Sequence, residues 1–128
     1  MNAAVCHSTE NKGENNGKGK PDHDWHTRLH RHSLGWVCAR EGTDLVGFVN
    51  VAWDGAVHAF LLDTVVAARV RRQGLGTRLV AMAAEGARAS GCHWLHVDFE
   101  PHLRDFYLTA GDFSPTDAGL IALRPNTA

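Results

Sequence analysis

With 128 residues, a formal net charge of −1 and 44% hydrophobic side chains that include four Trp and five Phe, the chain has the length of one domain and the apolar content to build a core. Basic and acidic residues nearly balance, 13 against 14, and arginines are dense only at Arg69, Arg71, Arg72 and Arg78, which argues against a general nucleic-acid surface and for one local anion site. Three cysteines without a CxxC pair suggest neither a disulfide framework nor a zinc knuckle; no apolar run reaches the roughly 18 residues of a membrane span and the N-terminus is polar, so a cytoplasmic protein without membrane contact is expected.

Residues 1–22 alternate Asn, Gly and Lys with few apolar side chains. Such a segment buries too little surface to offset its ordering entropy, which predicts a disordered tail ahead of a single domain over 23–128. From Asp24 the pattern turns helical: Trp25, Leu29 and His32 share a face, Asp22 or Asp24 is placed to cap, and Gly35 is the expected stop. Two strands follow, Trp36–Arg40 and Leu45–Ala52, separated by Glu41-Gly42-Thr43-Asp44 and closed by Trp53-Asp54-Gly55, an antiparallel arrangement by their turn chemistry. His58–Val66 is almost continuously apolar, which predicts a central strand covered on both faces. The period then changes. Leu75, Leu79, Met82, Ala83 and Gly86 recur at helical spacing up to Ser90-Gly91, and His93–Phe99 reads as the next strand, so strand, helix and strand form a right-handed crossover with the two strands parallel. A short helix over 102–110 and closing strands at Phe113-Ser114-Pro115 and Gly119–Leu123 complete the expected order.

The chemistry concentrates at Arg71-Arg72-Gln73-Gly74-Leu75-Gly76-Thr77-Arg78, between strand and helix. The first amides of a helix lack intrahelical partners and stand at the positive end of its dipole, so an anion can be held there by main chain alone. Gly74 and Gly76 keep that approach open, and Arg71, Arg72 and Arg78 are available to phosphate oxygens. The pattern is neither the GxGxxG of dinucleotide sites nor a Walker A loop. Nine histidines raise a metal question, above all His23, His26, His30 and His32, but no Cys or carboxylate completes a set; no metal is expected, and a solvated helix face is the better reading.

The stretch from Leu61 to Val80, an apolar strand ending in Val65-Val66 and then a loop with Arg71, Gly74 and Gly76 at [QR]xxGx[GA] positions, closely resembles the signature of the GNAT superfamily of acyl-CoA-dependent N-acyltransferases. The resemblance extends over roughly residues 36–124. It implies an α/β fold with a mixed, mostly antiparallel twisted sheet, in which a central parallel strand pair splays to hold acyl-CoA and helices flank the sheet. It also implies acetyl-CoA as co-substrate, with its pantetheine arm completing the sheet between Val65-Val66 and Phe99-Glu100 and its pyrophosphate on the amides of Gln73 to Arg78. The activity so implied is transfer of an acetyl group to a primary amine, small or peptidic, by direct attack.

Two departures from the family pattern stand out. An opening strand and one of two front helices are expected to be missing, and Tyr107-Leu108-Thr109-Ala110-Gly111-Asp112-Phe113 carries Asp112 where the family often has Tyr-x-x-x-Gly-Phe. A degenerate acyl-CoA-binding sensor or interaction module, or an acetyltransferase subunit whose missing wall comes from a partner, therefore stand as alternatives, and a homodimer that covers exposed apolar surface is expected. Amine attack on a thioester needs a base, donors for the developing oxyanion, and a proton for the thiolate. The amides of Val65 or Val66 are candidates for the second and Tyr107 for the third, with a packed aromatic the alternative for Tyr107. For the base, His58, Asp63, Asp98 and Glu100 are the candidates, directly or through water. His58 is favoured because imidazole titrates nearest neutrality and alternation sets it on one face with Phe60, Leu62 and Thr64, unless a bulge shifts the parity toward Asp63. His93 and His96 are read as pointing outward or packing on the sheet.

Overall fold

A computed structural model describes residues 2–7 and 24–124. Among these, five strands form one sheet in the order β1-β2-β3-β4-β5, with β1 at Asn2–His7, β2 at Ser33–Glu41, β3 at Asp44–Trp53, β4 at His58–Val66 and β5 at Trp94–Val97. The first four pair antiparallel, and β4 and β5 pair parallel. Helix α1 is Trp25–His32 and α2 is Leu75–Ala89.

Helix α2 covers one face of the sheet because its buried residues, Leu75, Leu79, Val80, Ala83 and Ala87, repeat every three to four positions. They meet Val37 and Ala39 of β2, Val49 and Val51 of β3, and Ala59 and Leu61 of β4 in one core. Leu79 is fully buried, which stabilises the domain by about 1.5–3 kcal/mol. Gly47 of β3 permits the close fit: a Cβ there would stand 2.9 Å from Leu79 Cδ1. The helix ends at the expected place, with Gly91 left-handed (φ 91) and the Cys92 amide donating to Ala87 O at 3.0 Å.

Five sequence expectations are corrected. The opening strand is present: Asn2–His7 pair with β2 from Asn2↔Arg40 to His7↔Gly35, so this part of the expected tail is a sheet edge, while the rest of that tail lies outside the described residues. Pairing with a strand thirty residues away supplies the order that local composition does not. Gly35 does not end α1, which stops at Ser33, where β2 begins; Gly35 sits within β2 opposite Val51. Strand β4 is covered on one face only, with Ala59 and Leu61 buried but Phe60, Leu62 and Val65 exposed. No strand forms over 113–124, where Leu120, Ile121 and Leu123 are exposed, so β5 is the edge strand opposite β1 among the described residues. Apolar content there is not matched by a pairing partner. The helix expected over 102–110 is instead a 3-10 turn, Pro101–Leu103, followed by a π-helical turn, Phe106–Ala110.

Candidate active site

Strands β4 and β5 pair only from His58↔Trp94 to Leu61↔Val97. Strand β4 continues to Val66, while the chain after Val97 leaves the sheet, so the two part and no β5 residue stands opposite Leu62 to Val66. An open cleft of about 190 Å³ occupies the fork, lined by Phe60–Thr64, His96–Asp98 and Tyr107. It opens four residues earlier on β4 than the resemblance implied.

A bulge marks the mouth. Asn50 faces Leu62 and Phe48 faces Val65, so Asp63 and Thr64 together oppose Val49, and Asp63 takes a left-handed backbone, φ 58. Aspartate tolerates that conformation better than a branched residue would. Its carboxylate accepts from the Arg28 guanidinium of α1 and from Asn50 Nδ2 at 3.3 Å, and Asn50 in turn accepts from the buried Ser33 hydroxyl. Helix α1 is thus tied to the cleft residue Asp63 through Arg28, which also lies 4.0 Å over the Trp25 ring. Asp24 caps this helix by accepting from the Thr27 hydroxyl and amide, and these hydrogen bonds hold its carboxyl below the usual aspartate range.

The loop into α2 presents backbone and arginines together. Gly74 is left-handed (φ 78) with nothing within 4 Å of a built Cβ, so glycine is required there by conformation. Gly76 is required by packing: a Cβ would come within 3.1 Å of the Phe106 ring. The two glycines therefore have separate reasons, and only the first frees space at the loop surface. Leu75 anchors the turn in the core, so its main chain alone can face a ligand. Arg71, Arg72, Gln73 and Arg78 are exposed and Thr77 is half-buried. Arg71 Nε donates to Val66 O at 3.1 Å, which ties the loop to the end of β4 and leaves the terminal nitrogens of the guanidinium to other acceptors. Free helix amides with three arginines are a donor set that fits a pyrophosphate.

The other expected residues separate. Tyr107 is buried, with its ring stacked on Phe99 at 5.1 Å between centroids and edge-on to Phe106 and Phe113, and it also lines the cleft. The extra Asp112 is accommodated with φ 66, which lets the Phe113 amide donate to Tyr107 O at 3.0 Å. Val65 is exposed and Val66 half-buried at the free edge of β4. Glu100 lies outside the cleft, 3.5 Å from His102 Nδ1. His58 also lies outside it, and its Nδ1 is 2.9 Å from Nε2 of His96, which does line the cleft. Sequence reading missed Arg28 and His96, since each matters only through a contact made 35 and 38 positions away along the chain. No group of three or more His, Cys, Asp or Glu able to hold a metal occurs among the described residues. No helix among them is long and apolar enough to cross a membrane.

A parallel strand pair that forks beside a glycine loop and helix N-terminus defines the acyl-CoA transferase fold. The acetyltransferase (GNAT) family model matches residues 4–111, and the chain belongs to that family. No curated protein matches the sequence significantly. Solved structures do match. Glucosamine-6-phosphate N-acetyltransferase from Arabidopsis thaliana is 17% identical with a TM-score of 0.61, over 70% of this chain and 67% of its own. A GNAT family acetyltransferase from Streptococcus pneumoniae is 24% identical with a TM-score of 0.61, over 77% and 78%. The aminoglycoside N-acetyltransferase AAC(6')-Iy, in complex with CoA, is 18% identical with a TM-score of 0.63, over 79% and 73%. At these identities the likeness concerns the fold.

Proposed function

We propose that the protein transfers the acetyl group of acetyl-CoA to a primary amine in the β4–β5 cleft. The observation that carries this reading is the fork itself, with β4 lacking a β5 partner beyond Leu61 and the Arg71–Arg78 loop at its far end. Amide groups on the free edge of β4 can bind the pantetheine arm as a strand would, and the first amides of α2 with Arg71, Arg72 and Arg78 can bind the pyrophosphate. When bound, the thioester supplies an activated acetyl carbon. The amine nitrogen attacks it from the cleft side, with an amide of Val65 or Val66 donating to the carbonyl oxygen as it gathers negative charge and Tyr107 giving a proton to the departing sulfur. Asp63 is engaged by Arg28 and Asn50 and Glu100 stands outside the cleft, so neither is well placed as base. Calorimetric titration with acetyl-CoA and with acetyl-pantetheine tests the placement. The first should bind and the second only weakly, with Arg71→Ala weakening the first alone; equal binding of both would remove the loop from the site.

A second reading is favoured by Phe60, Leu62 and Trp94, exposed on the face that α2 leaves open. There a second copy of the chain would supply a further wall to the cleft. Activity that falls on dilution together with the sedimentation coefficient would support it.

A further inference from the structure

On the sheet face turned away from α2, Phe60 and His96 are register partners of β4 and β5, and their rings stack with centroids 4.9 Å apart at 17°. His96 Nε2 meets His58 Nδ1 at 2.9 Å across the same strand pair. His58 opens β4, and its amide donates to Asp54 Oδ1 at 3.2 Å. Phe60 and His96 line the cleft and His58 does not, so His58 reaches it only through His96.

We propose that His96 takes the proton of the acceptor ammonium and passes it through His58 to solvent, a step that rests on the acetyl-transfer reading above. Two imidazole nitrogens this close hold one proton between them. In the competent arrangement His96 Nε2–H donates to His58 Nδ1, and Nδ1 of His96 is left to accept. As the ammonium gives a proton to that nitrogen, the Nε2 proton crosses to His58, which sheds another from its own Nε2 to water. The freed amine nitrogen forms the N–C bond as the C–S bond breaks; Tyr107 gives its proton to the sulfur and takes the second proton of the amine nitrogen in its place. An acceptor seated in the cleft covers His96, whereas His58 keeps its own path to solvent; this is why the pair serves where His96 alone would be sealed. The charged and titratable groups around the pair are Asp63, Asp98 and Tyr107 in the cleft, Arg28 from α1 and Asp54 before β4. Arg28 and Asn50 both engage the Asp63 carboxylate.

Imidazole 15N NMR of the free protein and kinetics on an amine panel test the relay together. In the wild type a 15N–15N coupling should be seen across the hydrogen bond between His96 Nε2 and His58 Nδ1, and His96→Gln should abolish it. With the best amine of the panel, His96→Gln should lose roughly a hundredfold in kcat and the acid limb of its pH profile while acetyl-CoA affinity holds, and added imidazole should restore rate to His96→Ala. His58→Gln should slow turnover less and shift that limb. The relay is overturned if the wild type shows no coupling between the two imidazole nitrogens, or if His96→Gln keeps the wild-type rate profile. A wild type that binds no acetyl-CoA overturns the acetyl-transfer reading itself, and the relay with it.

Discussion

Gly76 lies against the edge of the Phe106 ring, so close that a Cβ would stand 3.1 Å from both Cε2 and Cζ. The contact joins the first turn of α2 to the helical segment that carries Tyr107, and Phe106 is itself held edge-on to Tyr107 at 4.8 Å. A methyl group must displace a ring with little room to move. Gly76→Ala should therefore cost about 1–2 kcal/mol, and Phe106→Leu in the same chain should recover part of it. Gly74→Ala meets open space but an unfavourable φ, and should cost about 1 kcal/mol that no second substitution recovers. Urea midpoints of the three variants and the wild type separate crowding from strain.

The Arg28–Asp63 ion pair is half-exposed and should matter more to the cleft than to stability. Arg28→Ala should shift unfolding by less than about 1 kcal/mol, because a solvated pair gains little over its hydrated partners. Release of the Asp63 carboxylate should change the affinity for a cationic acceptor several-fold. A double-mutant cycle with Asp63→Asn, read for both stability and acceptor KM, checks the two statements separately.

Asp54 accepts from the amides of Ala56 and His58, and these two hydrogen bonds hold its carboxyl below the ordinary aspartate range. A carboxyl whose folded value is lowered contributes stability that is present above its unfolded value and is lost as pH falls through the folded one. Asp54→Ala should thus melt lower than wild type at pH 6, and the gap should narrow below about pH 4. Circular dichroism melts across that range show whether it does.

The two ends of the described chain should respond oppositely to truncation. Deleting residues 2–7 strips the edge strand that pairs along β2 from Gly35 to Arg40 and should lower Tm clearly. Ending the chain after Ala118 removes Leu120, Ile121 and Leu123, which are exposed, and should leave Tm within roughly 3 °C. Differential scanning calorimetry of both truncations is the check.

What could be read in advance followed from signals local to the chain. The bounds of β4 agree with the apolar run between Asp54-Gly55 and the loop, and α2 ends where Ser90-Gly91 stops it, because turn chemistry and period are both written within a few residues. Strand β1 escaped notice because Asn2–His7 is short and is ordered by partners in β2. The apolar run at Gly119–Leu123 misled in the other direction, since a strand needs a neighbour as well as a composition. At the site, the turn between β4 and α2 was legible from its glycines, while the fork was implied only by the family resemblance and was expected farther along β4 than Leu61. The bulge at Asp63, the reach of Arg28 from α1 and the His58–His96 pair were not legible, because each depends on which residues two separate strands bring level.

The central claim is acetyl transfer to an amine, and product analysis tests it most directly. The protein is incubated with acetyl-CoA and a mixed panel of primary amines, with products read by mass spectrometry and free thiol by a chromogenic disulfide. At least one amine should gain a single acetyl group with one equivalent of thiol released, and Arg71→Ala should raise the KM for acetyl-CoA in that reaction. Tight acetyl-CoA binding with no acetylated amine and no thiol would contradict the claim and leave a binding module in place of an enzyme.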